Sequence, residues 1–164
     1  SNLESITIPA SVTSSGDYAF QYTPALKSVH IADLAVWCSI EFNNGLANPL
    51  TNSAELYLNG ELVVDLVIPD SVTKIGRGAF RDCSSVISVT IPNSVTEIGE
   101  YAFSYCSSLA SVYCKATTPP SLGGSVFPGN ASERKIYVPT ESVDAYKAAE
   151  GWSDYADYIE PYQF

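Results

Sequence analysis

The chain has 164 residues, of which 46% are hydrophobic and 16% are charged, so it is long enough and apolar enough to fold around a core. Its net charge of −10, with only 8 lysines and arginines, argues against nucleic acid and anionic membrane surfaces as partners, because phosphate binding needs clustered basic residues. No run of apolar residues is long enough to cross a bilayer, so we expect no direct membrane insertion.

The first residues, SNLESITIP, already belong to a repeating apolar pattern, and the chain contains no methionine. We therefore expect a fragment of a longer precursor, from which the signal peptide and N-terminal repeats are missing.

An apolar position recurs with spacings of 23, 37, 23 and 23 residues, at Ile8, Ile31, Ile68, Ile91 and Cys114. Apolar residues also stand five and two positions before each of these markers, which gives the spacing L-x-x-L-x-L. A period of about 20–29 residues with this spacing is typical of a leucine-rich repeat solenoid, because a single unit cannot bury its apolar edge alone.

Each regular unit continues with the same features after its marker. Proline removes a backbone donor and ends the strand at Pro9, Pro69 and Pro92. Glycine is expected to permit a tight corner or a positive φ, at Gly16, Gly76 and Gly99. A phenylalanine is expected to pack under the corner, at Phe20, Phe80 and Phe103. Because Cys83 and Cys106 occupy one repeat position, we expect them to stack in the core as small hydrophobes and not to form a disulfide.

These residues resemble one family closely. The pattern IPxSVTxIGxxAFxxCSSLxSVxIP, clearest in residues 63–85 and 86–108, is similar to the BspA-type leucine-rich repeat of bacterial and some protozoan surface proteins, and the resemblance spans about Leu3 to Cys114. The resemblance implies an extracellular or cell-surface location and adhesion to host proteins.

The unit from residue 31 to residue 68 breaks the period. Asn59-Gly60 predicts a β-hairpin with arms near Glu55–Leu58 and Glu61–Leu66, and WCSIEF is expected to add another strand. The turn-rich stretch Asn43–Ser53 reads as a loop and is a candidate for binding, whereas Trp37, Cys38 and Phe42 are better explained as core.

Residues 115–164 are interpreted as a last strand and a C-terminal cap within the same domain as the repeats of residues 1–114. Lys135–Pro139 reads as the last strand, and a short helix follows with Thr140 or Ser142 as its N-cap and Gly151 as its stop. The acidic, aromatic tail suggests a carbohydrate or Ca²⁺ site, but a solvated cap surface explains it better because no calcium-loop spacing is present. The predicted fold is mostly β, a right-handed leucine-rich repeat solenoid with an inserted β-hairpin unit and a C-terminal cap.

The sequence offers little for catalysis. His30 is the only histidine and occupies a strand position shared with Thr7, Val67, Thr90 and Tyr113, so Ser-His or Cys-His chemistry lacks a positioned base. No His/Cys cluster has metal-ligand spacing, and no glycine-rich phosphate loop is present. We predict no catalytic residue, no metal and no cofactor.

The outward face of the predicted sheet is the candidate binding surface, because solenoids present one long face to their partners. The predicted ligand is an unknown protein or glycan, including host extracellular matrix, and the alternative function is a passive spacer of a larger surface protein. The candidate ligand-binding residues are Lys27, His30, Val64, Asp65, Val67, Ile87 and Tyr113.

Overall fold

The computed structural model describes residues 1–164 as a mostly β chain with short helical segments, as the sequence predicts. The strands are β1 Ser5–Ile8, β2 Ser28–Ile31, β3 Glu55–Leu58, β4 Glu61–Leu62, β5 Asp65–Val67, β6 Lys74–Ile75, β7 Ser88–Ile91, β8 Glu97–Ile98, β9 Ser111–Cys114, β10 Ser121–Leu122, β11 Lys135–Pro139 and β12 Ile159–Tyr162. The α-helices are α1 Leu34–Ser39 and α2 Val143–Ala148, and 3-10 helices span Gly45–Ala47, Pro49–Asn52, Thr140–Ser142 and Trp152–Tyr158. None of these helices has the length and apolar character that crossing a bilayer requires.

The repeating strands pair in parallel, with equivalent residues of successive units side by side. One sheet has the order β1-β2-β3-β4, and a second has the order β12-β11-β9-β7-β5. Ile6 pairs with Val29 in the first sheet, and Val89 pairs with Val112 in the second. The 23-residue period therefore sets the register within each sheet. A small third sheet, β10-β8-β6, forms on the strands that follow the first corners.

The irregular unit contains a strand that the predicted alignment left out. Ile31 pairs with Leu58 of β3, not with the unit that ends at Ile68, and β2 and β3 are parallel. The predicted alignment therefore passed over one strand of the stack. It did so because the marker after Ile31 comes 27 residues later, at Leu58, and no proline follows it.

The first sheet ends where the chain reverses at Asn59-Gly60. β3 and β4 pair antiparallel on either side of this turn, and Asn59 and Gly60 have φ values of 51° and 86°. Positive φ at both turn residues is the geometry of a type I′ turn, which the Asn-Gly sequence favours. The second arm is shorter than predicted: β4 ends at Leu62, and Leu66 belongs to β5, which pairs with β7 in the second sheet.

The strand predicted for WCSIEF is wrong, because residues 34–39 form helix α1. The Asp33 carboxylate accepts a hydrogen bond from the Val36 amide and caps the helix, and Leu34, Trp37 and Cys38 are its buried residues. This i, i+3, i+4 spacing is helical and outweighs the β propensity of the aromatic and β-branched residues.

Most of the stretch predicted as a binding loop is buried. Asn44 and Asn48 cap two 3-10 helices through their side-chain oxygens, and Ala47 to Leu50 are buried. The Asn48 amide also donates to the carbonyl oxygens of Gly78 and Ala79, at 2.7 Å and 3.2 Å. Because these groups are used for packing, this stretch is no longer the better candidate for binding.

A single cluster of 39 buried apolar residues runs from Leu26 to Ile159. Its axis is a column of phenylalanines: Phe80 stacks on Phe103 with ring centroids 5.5 Å apart, and Phe103 stacks on Phe127 at 5.9 Å. Cys83 and Cys106 lie in the same core as free thiols. The stacking predicted for both residue types is therefore present.

The corner glycines serve close backbone approach and not positive φ. A Cβ on Gly99 would lie 2.6 Å from the Arg77 amide nitrogen, and one on Gly76 would overlap the Ile40 carbonyl oxygen. Positive φ occurs two residues later, at Tyr18, Gly78, Tyr101 and Ser125. Gly16 differs from the other corner glycines, since a Cβ there would meet open space.

The C-terminal end is covered by α2 and by one more strand than predicted. β11 matches the predicted Lys135–Pro139, but it is not the last strand, because β12 pairs with it in parallel. The Ser142 hydroxyl does not cap α2; it donates instead to the Thr117 carbonyl oxygen, at 2.8 Å. Tyr146 and Trp152 are buried and donate to backbone carbonyls of the preceding loop, which fixes the cap to the stack.

Truncation of the central ring, Phe103→Ala, is expected to lower the free energy of unfolding by about 3–5 kcal/mol, because neighbours on both sides hold the cavity open. The matched control is Phe20→Ala at the equivalent position, where the ring is only half-buried. That variant should cost about 1–2 kcal/mol. Urea denaturation of both variants checks the difference, and equal costs would contradict the role of the column.

Relief of a left-handed residue, Ser125→Gly, is expected to raise the free energy of unfolding by about 0.5–1 kcal/mol, because Ser125 has a φ of 54°. Ser121→Gly in β10 is the control and should lower stability, since an extended residue gains nothing from glycine. Thermal and urea unfolding measure both changes, and a loss of stability in Ser125→Gly would contradict the prediction.

Burial raises the pKa of Cys38 and Cys83 to about 12 and the pKa of Cys114 to about 11. The unfolded thiols ionise near 9, so between pH 9 and 11 the unfolded chain releases protons that the folded chain keeps. Stability should therefore be intact below pH 9 and fall above it, by about 1.4 kcal/mol per pH unit for each thiol.

Cys83→Ala in reducing buffer isolates one of these thiols. The stability difference between wild type and this variant should shrink by about 1.4 kcal/mol for each pH unit between 9 and 11. The control is Ser104→Ala, which removes an equally buried group that does not ionise in this range. Its stability difference should stay constant, and a constant difference for Cys83→Ala would refute the buried-thiol explanation.

Candidate functional site

The seven predicted binding residues are divided between the two sheets. Lys27 and His30 belong to the first sheet, on or next to β2, whereas Val64, Asp65, Val67, Ile87 and Tyr113 lie on or next to β5, β7 and β9. The prediction placed His30 next to Val67, but β3 and β4 lie between their strands. The structure therefore brings together the residues of the second sheet and leaves the first two apart from them.

In the first sheet, the candidate positions already have partners. The ammonium group of Lys27 lies 3.7 Å from the Glu4 carboxylate, and both side chains are largely exposed. The imidazole of His30 stacks on the Tyr57 ring, with centroids 4.9 Å apart and planes inclined by 22°. The predicted alignment missed Tyr57 because it passed over β3.

In the second sheet, aliphatic side chains are exposed on the strands nearest the hairpin. Val67 is 62% exposed at the end of β5, and Ile87 is 49% exposed just before β7. Asp65 is exposed and accepts a hydrogen bond from the Ser88 hydroxyl of the next strand. Val64 is half-buried in the bend that precedes β5.

Tyr113 belongs to an aromatic group that continues to the end of the chain. Its ring stacks on Tyr137 with centroids 4.9 Å apart and planes inclined by 16°. Tyr162 of β12 stands edge-on to both rings, at 5.3 Å and 5.6 Å, and Phe164 contacts Tyr162 at 4.9 Å. Tyr162 and Phe164 are 42% and 51% exposed.

We call this surface the tyrosine patch. Register connects its first members, since Val67 pairs with Thr90, Thr90 with Tyr113, and Tyr113 with Tyr137. A groove of about 370 Å³ lies along it, lined in part by Lys115. The tyrosine patch consists of Val67, Thr90, Tyr113, Tyr137, Tyr162 and Phe164.

The signal for Tyr137 was present in the sequence. Lys135–Pro139 was predicted as a strand, and aligning it with β9 places Tyr137 beside Tyr113. Tyr162 and Phe164 had no comparable signal, because the repeat pattern has ended by then and Pro161 argues against a strand interior. The edge position of β12 accommodates that proline.

The ionisable groups around the patch form an ordinary surface ion pair. The Lys135 ammonium group lies 2.9 Å from Glu160. The hydrogen bond between them raises the pKa of Lys135 and lowers the pKa of Glu160. His30 stands in the other sheet, against Tyr57, and all four thiols are buried. The arrangement suits non-covalent contact, and no nucleophile stands beside a base on this face.

A sequence model described as the BspA type leucine rich repeat region matches residues 1–44 and 53–148 in six copies. The match continues past Cys114, where the resemblance read from the sequence ends, and includes β11 and α2. The unmatched residues between the two ranges contain the 3-10 helices Gly45–Ala47 and Pro49–Asn52. No curated protein matches the chain at a significant level.

Proposed function

The chain belongs to the BspA-type leucine-rich repeat family, and from that premise we propose that it is a non-catalytic recognition module of a cell surface or secreted protein. Its two main sheets are then parts of one right-handed solenoid, with β3 and β4 as an embedded hairpin unit. The ligand is a protein, in the role of adhesion to a host protein such as extracellular matrix, and it binds the tyrosine patch.

The observation that carries this proposal is the exposure of apolar and aromatic surface along one column of the second sheet. Val67, Tyr162 and Phe164 are each more than 40% exposed although they lie on or next to regular strands. Contiguous exposed apolar surface marks interaction sites, and tyrosine is among the residues enriched where binding energy concentrates.

The tyrosines are held in place before any ligand arrives. Tyr113 and Tyr137 stack on each other, and Tyr162 closes against both, so little side-chain freedom remains to be lost on binding. The strands of Tyr113 and Tyr137 are paired on both sides, which fixes the spacing of these two rings.

A protein fits this patch better than a glycan does. A sugar ring packs on an open aromatic face, but Tyr113 and Tyr137 already use faces against each other. What remains exposed is a mixture of ring edges, aliphatic groups and one lysine beside the groove, which is the composition of a protein interface.

Binding of the purified protein to a panel of matrix proteins and glycans tests the proposal. Val67→Glu combined with Tyr162→Glu places charge in the patch at two exposed positions. The matched control, Lys27→Glu with His30→Glu, changes the predicted residues of the first sheet instead. We expect the patch variant to weaken binding to a matrix protein by tenfold or more, about 1.4 kcal/mol, and the control to bind normally.

Each other result has a definite meaning. Loss of binding only in the Lys27/His30 variant moves recognition to the first sheet. Binding confined to glycans contradicts the choice of a protein ligand. No binding by the wild-type protein favours the alternative function, a passive spacer of a larger surface protein.

A further inference from the structure

The stack buries one arginine where its other units bury an aliphatic residue. The buried residue that shortly precedes the strand is Leu26, Val63, Val86 and Leu109 in four units, but before β11 it is Arg134, which is 7% exposed. Burying a guanidinium costs several kcal/mol more than burying a leucine unless charge and hydrogen bonds compensate it. Packing of the core therefore gives no reason for an arginine at this position.

Aromatic rings surround the Arg134 guanidinium. Its central carbon lies 4.8 Å from the ring centroid of Tyr158, 5.3 Å from that of Tyr155 and 5.5 Å from that of Phe127. Its Nη1 donates to the Phe127 carbonyl oxygen at 2.9 Å and to the Asn130 side-chain oxygen at 3.4 Å. These contacts hold the group in one orientation.

The charge of Arg134 has no counter-ion. Its buried Nε has no hydrogen-bond partner, and no carboxylate lies within ion-pair distance of the guanidinium. Arg81 also lies over two tyrosine rings with its Nε unsatisfied, but its Nε is 3.4 Å from the Asp82 carboxylate. Arg134 is therefore the arginine whose environment lacks an anion.

A cavity of about 340 Å³ opens beside this group. Arg134, Tyr155 and Tyr158 line it together with the polar side chains of Asn130, Ser132 and Asp154. The volume is at the lower end of the range of about 300–1,000 Å³ for small-molecule sites. The cavity shares no residue with the tyrosine patch.

We propose that this cavity binds the carboxylate of an acidic sugar through Arg134. The guanidinium supplies a charge-assisted hydrogen bond to the carboxylate. Tyr158, 39% exposed, supplies an apolar face for the sugar ring, and Asp154 and Ser132 on the rim supply partners for its hydroxyl groups. A sugar acid carries both the charge and the hydroxyl groups that these side chains require.

The rim also selects against simpler anions. The carboxylate of Asp154 faces the same cavity and repels a second negative charge, so a dianion such as sulfate or phosphate is disfavoured. A sugar carboxylate carries one charge and offers hydroxyl donors to Asp154. The proposed ligand is therefore a hexuronate-type sugar and not an inorganic anion.

Calorimetric titration of the whole protein with glucuronate tests this site, with glucose, sulfate and phosphate as comparison ligands. We expect saturable binding of glucuronate that is about tenfold or more tighter than that of glucose, since a charge-assisted hydrogen bond is lost with the carboxylate. Arg134→Leu restores the residue type of the other units and should fold with an unchanged or higher urea midpoint while losing glucuronate binding.

Two further variants keep the test informative if Arg134→Leu unfolds. Tyr158→Leu, at a partly exposed position, should weaken glucuronate binding and keep the fold, whereas Arg81→Leu should leave binding unchanged. Absence of glucuronate binding by the wild-type protein overturns the proposal, as does binding that survives in folded Arg134→Leu or in Tyr158→Leu. Equal binding of sulfate overturns the assignment to a sugar.

Discussion

The stack depends on one constraint: no unit can bury its own apolar edge, so each must lie in register with a neighbour. The 23-residue period satisfies this constraint three times over, because it aligns the strands, the phenylalanine rings and the thiols of successive units together. Phe103 illustrates the dependence, since one ring of its own chain covers each of its faces. Stability is therefore shared between adjacent units, and the ends need separate solutions.

The same register creates the outward surface. Parallel strands place equivalent residues side by side, so an exposed position becomes a column along the sheet, and tyrosines in adjacent units stack without any other support. Tyr113 and Tyr137 meet for this reason. The hairpin turn at Asn59-Gly60 interrupts the columns and separates His30 and Tyr57 from the tyrosine patch. The fold thus defines two surfaces where the sequence suggested one.

The regular part of this architecture could be predicted because apolar spacing reports burial directly. Leu66, Val89 and Val112 are buried as their spacing requires, and Cys83 and Cys106 lie in the core. The errors fall where local and stacking signals compete. β3 lacks the proline that marks other units, and α1 hides among aromatic and β-branched residues that favour strands. Arg134 could not be found, because its burial depends on Tyr155 and Tyr158 beyond the repeat pattern.

The equivalence of the middle units also bears on how such a chain changes length. Residues 63–85 and 86–108 present matching edges to their neighbours, with Leu66 and Val89 paired in register and the rings of Phe80 and Phe103 in nearly parallel planes. A tandem duplication of either segment would insert a strand, a ring and a thiol at once and leave both ends of the stack untouched. Evolution can therefore alter the reach of this protein in steps of 23 residues without redesigning its core.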